Sequence, residues 1–224
     1  MCSSDLNAGG IRNSFEKGNL TQNDVIDTFP FRNSVEVVKV KGRTIWKMME
    51  NSVHDHNETV PHGRFLQISG MRVVINRKKP KFQRVVSIDV RCSRCEIPTY
   101  SPIDLDESYM VVTNNFLVQG GDGYTMIREE MEEHYPLGNL LSDVLSEHVT
   151  AFSPLMYGIE GRIIFNDNPK QRKVPVNIAC RNPPYNDKED NKDNNDNGNN
   201  GNTLISNSLV IYIATASFLS QLFF

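Results

Sequence analysis

The sequence has no excess of basic residues: 24 Lys and Arg stand against 27 Asp and Glu among 224 residues, a formal net charge of -3. It therefore lacks the electrostatic footprint of a nucleic-acid binder, and no nucleic-acid partner is expected. The opening stretch, MCSSDLNAGG, contains neither a basic n-region nor an apolar h-region, so it does not read as a secretory signal. Cysteine is sparse, and of the four only Cys92 and Cys95 stand close enough to form a local motif. No internal repeat is visible. From Asn186 to Asn202 the chain reads NDKEDNKDNNDNGNNGN, without one aromatic or aliphatic side chain to offset the entropy of ordering its backbone. Residues 168–202 are accordingly expected to form a disordered polar stalk, leaving residues 1–167 as one domain.

The segment after the stalk is of opposite character. Residues 203–224 include LISNSLVIYIATASFLSQLFF, an uncharged and mostly apolar run with no Lys or Arg after it. A spanning helix usually carries basic residues at its cytoplasmic edge, whereas a tail that stops within its own apolar run, behind small and polar residues, fits a glycosylphosphatidylinositol-anchor signal. The spacing places the attachment residue at Asn197 or Asn200, each followed by glycine. Anchor addition belongs to the secretory pathway, where the sequons at Asn19 and Asn57 would be glycosylated. The expected location is the extracellular face of the plasma membrane, with the lipid anchor as the membrane contact. An exported C-terminus without an export signal is resolved most simply if the chain is the back end of a longer protein.

Between these limits helices and strands are interspersed. Thr21-Gln22-Asn23-Asp24 before VIDTF reads as a capped short helix ended by Pro30. SVEVVKVKG alternates as a strand, and RTIWKMMENSV returns to helical spacing with Ile45, Met48 and Met49 on its core face. RFLQIS and MRVVIN, divided by Gly70, predict a hairpin or a kinked long strand, followed by strands RVVSIDVR and YMVVTN. Two helices are predicted, at roughly 123–134 and 139–149, the second with Leu140, Leu141, Val144 and Leu145 inward, before a closing strand GRIIF. The acidic run EEMEEH reads as a solvated face. The fold class is α+β, a mixed β-sheet covered by helices.

Three short stretches have the makings of a ligand site. NAGGIR places two glycines between Asn7 and Arg12, a backbone open to close approach beside a planar guanidinium fork; its bland alternative is a glycine turn with a solvated arginine. In TFPFRN, Pro30 fixes the chain just before Phe31, which is either a core residue at a helix exit or a surface aromatic. In NNFLVQGGDGY, Phe116 precedes Gly120, Gly121 and Asp122, and Asp122 is either a helix N-cap or a ligand contact. His54, Asp55, His56 and His62 lack a helical i, i+4 pairing and sit in a polar, loop-like segment, so no metal site is expected there. Cys92 and Cys95 admit a zinc knuckle, a redox pair or a local disulfide. The first lacks a second ligand pair and the second would prefer a helix N-terminus after the strand.

Taken together, NAGGIR, TFPFRN and NFLVQGGDGY resemble the C-terminal domain of the 5'-nucleotidase family, which includes ecto-5'-nucleotidases, apyrases and UDP-sugar hydrolases. The resemblance extends from Asn7 to Asp167 and takes in FLQISGMRVVIN, SRCEIPTY and EGRIIF. It implies a nucleobase held between Phe31 and Phe116, ribose hydroxyls on Asp122, and contacts from Asn7, Arg12 and the Gly120–Gly121 backbone to base and sugar-phosphate. It also implies a pair at Cys92 and Cys95, which makes the structural disulfide the preferred reading. The family's two divalent metals, expected to be zinc, and its attacking machinery belong to an N-terminal metallophosphoesterase domain, so no cofactor and no catalytic residue is expected in this chain. The implied ligand is a nucleoside or nucleotide, adenosine or AMP first, and the parent is open to homodimer formation. The resemblance thus implies the substrate-binding half of a 5'-nucleotidase releasing nucleoside and phosphate. The alternatives are an apyrase or UDP-sugar hydrolase, or a non-catalytic anchored nucleotide binder.

Overall fold

The computed structural model describes residues 2–57, 59–60, 62–92, 95–156 and 158–167. The stalk, the apolar tail, and Asn197 and Asn200 lie outside the described residues. Among the described residues nine strands form two mixed sheets accompanied by five α-helices, so the α+β class holds, with two sheets where one was expected. The first has the order β3 (Leu66–Ser69), β1 (Cys2–Asn7), β7 (Ser108–Asn114), β2 (Ser34–Lys41), β8 (Glu133–Leu140). The second runs β6 (Tyr100–Pro102), β5 (Val85–Arg91), β4 (Met71–Ile75), β9 (Ile163–Phe165).

The near-continuous valines of β2 reflect burial on both faces. Val38 and Val40 point into a core shared with helix α2 (Gly42–Val53) and the second sheet, while Val35 and Val37 meet Leu141, Val144 and Leu145 of α5 (Leu141–Phe152). Helix α2 buries Ile45, Met48, Met49 and Val53 at helical spacing. Its first residue, Gly42, has no room for a side chain, since a Cβ there would stand 2.1 Å from the Asp104 carbonyl oxygen. Helix α1 (Gln22–Thr28) begins as expected with a reciprocal capping box between Thr21 and Asp24.

Two expectations are corrected. The chain neither turns back at Gly70 nor continues in one sheet. Gly70 takes φ 73°, and β3 and β4 on its two sides belong to different sheets. The helix expected to reach His134 ends early: α4 is Thr125–Glu130, and Glu133–Leu140 is the edge strand β8. Pro136 offers no amide for a helical bond and Gly138 sits at φ 78°, while β2 supplies the pairing edge. The acidic run is consequently paired rather than simply solvated: Glu133 meets Lys39 at 2.6 Å, Glu132 meets Lys41 at 3.2 Å and Glu130 meets Lys47 at 2.5 Å. Cys92 and Cys95 form a disulfide just beyond β5.

Candidate functional site

Strands β1 and β7 run parallel and β2 runs antiparallel to β7, so the ends of β1 and β7 and the start of β2 share one edge of the first sheet. That topology gathers segments far apart in sequence: Asn7 ends β1, Asn114 ends β7, and Phe31 and Arg32 lead into β2.

At the centre is a chain of amides and a carboxylate. Asn114 Nδ2 donates to Asn7 Oδ1 at 3.1 Å, and Asn7 Nδ2 donates to Asp122 Oδ2 at 2.8 Å. Asn7 and Asn114 are both buried, so their orientations are set by partners rather than by water. Asn114 also accepts from the Leu117 amide at 2.9 Å, capping the single helical turn α3 (Asn115–Val118) that carries Phe116. After that turn Gly120 (φ 93°), Asp122 (φ 52°) and Gly123 (φ 84°) lie in the left-handed region, which is costly for the aspartate. Asp122 does not cap α4. The N-cap there is Tyr124, without a side-chain cap.

The glycine at 121 has a specific reason. A Cβ there would stand 2.5 Å from the Phe116 ring, so that ring lies directly on the Gly121 backbone. Phe116 is 39% exposed and Phe31 57% exposed, so neither is a core residue. Phe31 stands under the Arg12 guanidinium, 5.8 Å from ring centroid to Cζ, and Arg12 is anchored by its amide on the Thr28 carbonyl at 3.0 Å. Asn7 and Asp122 are thus brought into contact, as are Phe116 with Gly121 and Arg12 with Phe31. The last pair joins the rest through the 3-10 turn Ala8–Gly10, where Arg12 Nη1 reaches the Gly9 carbonyl at 3.5 Å. Gly9 packs on Gly63, its amide donating to the Gly63 carbonyl at 2.7 Å.

Beneath the site, Asp5 is fully buried and neither carboxylate oxygen has a hydrogen-bond partner among the described residues; burial pushes its carboxyl up to about 8. Burial also raises the Tyr124 phenol, whose hydroxyl donates to the Arg64 carbonyl at 2.5 Å. His54 is not the solvated loop residue expected. It is 7% exposed, stacks on Phe82 at 4.4 Å, and its Nδ1 donates to the Asn51 carbonyl at 2.8 Å. Among the described residues no group of three or more His, Cys, Asp or Glu converges as a metal cluster. A hollow lined by Phe65, Ile68, Ile159, Ile163 and Phe165 beside β9 includes none of the expected site residues.

Two participants carry no signal strong enough to single them out in the sequence. Asn114 stands in the NNFLVQGGDGY stretch, where its cap on Leu117 is a readable role but its bond to Asn7 is not. Asn51, in the last turn of α2, donates from Nδ2 to the Asp122 carbonyl at 3.2 Å, a tertiary contact across 71 residues.

Residues 4–129 match the family model described as 5'-nucleotidase, C-terminal domain. An apyrase from Tabanus yao is 40% identical over 159 residues, covering 70% of this chain and 28% of that protein. The human 5'-nucleotidase is 36% identical over 164 residues, covering 72% of this chain and again 28% of the relative. In structure, a 5'-nucleotidase precursor from Thermus thermophilus superposes with a TM-score of 0.69 at 34% identity, over 75% of this chain and 32% of that one. The chain therefore spans about a third or less of these relatives.

Proposed function

The chain belongs to the 5'-nucleotidase family through its C-terminal domain, and from that premise we propose that it is the nucleoside-binding part of a cell-surface 5'-nucleotidase. The base stacks between Phe31 and Phe116, Asp122 accepts the ribose hydroxyls, and Asn7 and Arg12 face base and sugar-phosphate, with Gly120 and Gly121 admitting the ligand to the backbone. The observation that carries this reading is a buried Asn7 bonded to the Asp122 carboxylate, with the exposed Phe116 ring on the Gly121 backbone of the same loop and the exposed Phe31 ring under Arg12. Flat apolar faces left in water next to fixed hydrogen-bonding groups suit a ligand that is planar at one end and hydroxylated at the other. Stacking does not read base edges, so base tolerance is expected.

Hydrolysis of nucleoside monophosphates is assigned to the whole enzyme. Metal ions there would polarise the phosphate and activate water, held by residues upstream of this chain. The residues of this domain bind and orient; none of them is given a bond-making role. Glycosylation at Asn19 and Asn57, and a lipid anchor at Asn197 or Asn200, belong to the same proposal and place the protein outside the cell. The similarity to an apyrase favours, as a second reading, a parent that also removes phosphate from di- and triphosphates.

Calorimetric titration of the chain with adenosine tests the pocket. Binding is expected in the millimolar-to-micromolar range, since two stacks of about 1–3 kcal/mol each and the hydrogen bonds to the ribose are partly offset by association costs. Phe31→Ala and Phe116→Ala should each weaken it several-fold or more. Absence of adenosine binding by the folded chain, or unchanged affinity in both variants, overturns the reading.

A further inference from the structure

Asp122 has an unfavourable backbone, φ 52°, in a loop whose glycines offer no side-chain support. Something outside the loop must hold it. The Asn51 side chain does so from the last turn of α2: Nδ2 donates to the Asp122 carbonyl at 3.2 Å, and Oδ1 lies where a Cβ on Gly123 would approach to 3.2 Å. Asn51 is only 6% exposed and sits on a helix whose Ile45, Met48, Met49 and Val53 are buried in the core. Two successive residues, Asp122 and Gly123, are thus set against one amide side chain on a buried helix. Asn7 then takes Asp122 Oδ2, and Oδ1 has no partner among the described residues.

We propose that Asn51 is a positioning residue that fixes sugar selectivity: it holds the Asp122 backbone so that, with Asn7 on one carboxylate oxygen, the other is presented to a ribose hydroxyl. The inference rests on the proposed nucleoside pocket. A bond from Asn51 to a carbonyl cannot affect base stacking directly, so its loss is felt only by ligands that use Asp122.

The test is titration of the full chain with adenosine and with 2',3'-dideoxyadenosine, which keeps the base and lacks both hydroxyls. The unsubstituted chain should bind adenosine more tightly. Asn51→Leu, close in volume and without a donor, should weaken adenosine binding by roughly three- to tenfold and leave dideoxyadenosine binding unchanged. Asn51→Ser, whose shorter side chain withdraws the donor while keeping a polar group, should give the same sugar-dependent loss if the leucine variant fails to fold. In an Asp122→Ala background, Asn51→Ser should have no further effect on adenosine. Equal weakening of both ligands, or no weakening of either, overturns the role of Asn51 while the pocket stands. An unsubstituted chain that binds both nucleosides equally removes the ribose role of Asp122 and this inference with it, and one that binds neither removes the pocket as well.

Discussion

The second sheet and the site edge of the first are built to different rules. In the second sheet Met71, Val73, Ile75 and Ile88 are at most 1% exposed, the β4–β5 register is regular but for one shift beside Ile75, and the Cys92–Cys95 disulfide stands just beyond β5. At the site edge two phenylalanines face water, Arg32 and Asp122 take left-handed backbone angles, and Asp5 is buried with no hydrogen-bond partner for its carboxylate among the described residues. Each of those features costs stability, of the order of 1–3 kcal/mol for a strained backbone position. They persist because α2 joins the two regions: its apolar face fills the core against the second sheet, while Asn51 and Ser52 at its C-terminal end reach the Asp122 loop and the Leu66 amide. Stability is concentrated in one region and given up in the other, at the edge proposed to hold the nucleoside.

The comparison breaks if a core substitution in the second sheet also damages binding. Ile88→Ala is expected to lower unfolding stability by about 2–5 kcal/mol through lost burial and a residual cavity, measured by thermal or denaturant unfolding. Adenosine affinity, measured well below the new midpoint, should stay within about twofold. The next largest effect is pH-dependent and lies beneath the site. Asp5 has a folded pKa raised from 3.8 to about 8 by desolvation, so the native state holds a proton that the unfolded chain releases. Its stabilising contribution is present in full below about pH 3.8 and is lost as pH rises through about 8. Asp5→Asn, which cannot ionise, should remove that slope, making the variant more stable than the unsubstituted chain near pH 8 by the order of a few kcal/mol relative to the difference at pH 4. Parallel stability curves for the two proteins between pH 4 and 8 would contradict the buried, unpartnered placement of Asp5.

The two regions also differ in how far the sequence discloses them. The valines of β2 and the spacing of Ile45, Met48 and Met49 announce buried faces directly, because burial repeats with the period of the element. The sheet assignment is harder: nothing local in FLQISGMRVVIN tells that Gly70 passes the chain from one sheet to another, since that depends on which strands arrive later as partners. The strand β8 is hidden for a similar reason, its HYPLGNL having no alternation and its pairing being imposed by β2. At the site, Phe31, Phe116, Asn7, Arg12 and Asp122 are legible through motif resemblance. Local chemistry alone leaves Phe31 between core and surface, and Asp122 between cap and ligand contact. The Asn7–Asp122 bond spans 115 residues, and the support from Asn51 spans 71. Periodicity and turn chemistry report on neighbours a few residues away, so contacts of that range are out of their reach.

Gly121→Ala sharpens the comparison by acting on the site alone. The new methyl would overlap the Phe116 ring, whose edge is free to swing into solvent, so stability should change by less than about 0.5 kcal/mol. Moving the ring off its place should weaken adenosine binding by about 1 kcal/mol, the low end of a stacking contact. Unchanged affinity would mean that the ring's position on the Gly121 backbone is not what a base requires.

The smallest effect asks whether α1 belongs to the site or merely leads to it. Thr21 and Asp24 close the capping box, and the helix ends with the Thr28 carbonyl holding the Arg12 amide at 3.0 Å, two residues before Pro30 and Phe31. Thr21→Ala removes one side of the box and should cost about 1 kcal/mol of stability. The missing bond lies at the far end of the helix from Arg12 and Phe31, and Val25 and Phe29 still pack under the helix. Fraying should therefore stop short of Thr28, and adenosine affinity should fall by less than about twofold. A larger loss would mean that the helix transmits its end-to-end order to the Arg12–Phe31 pair, extending the recognition region a full helix beyond the sheet edge.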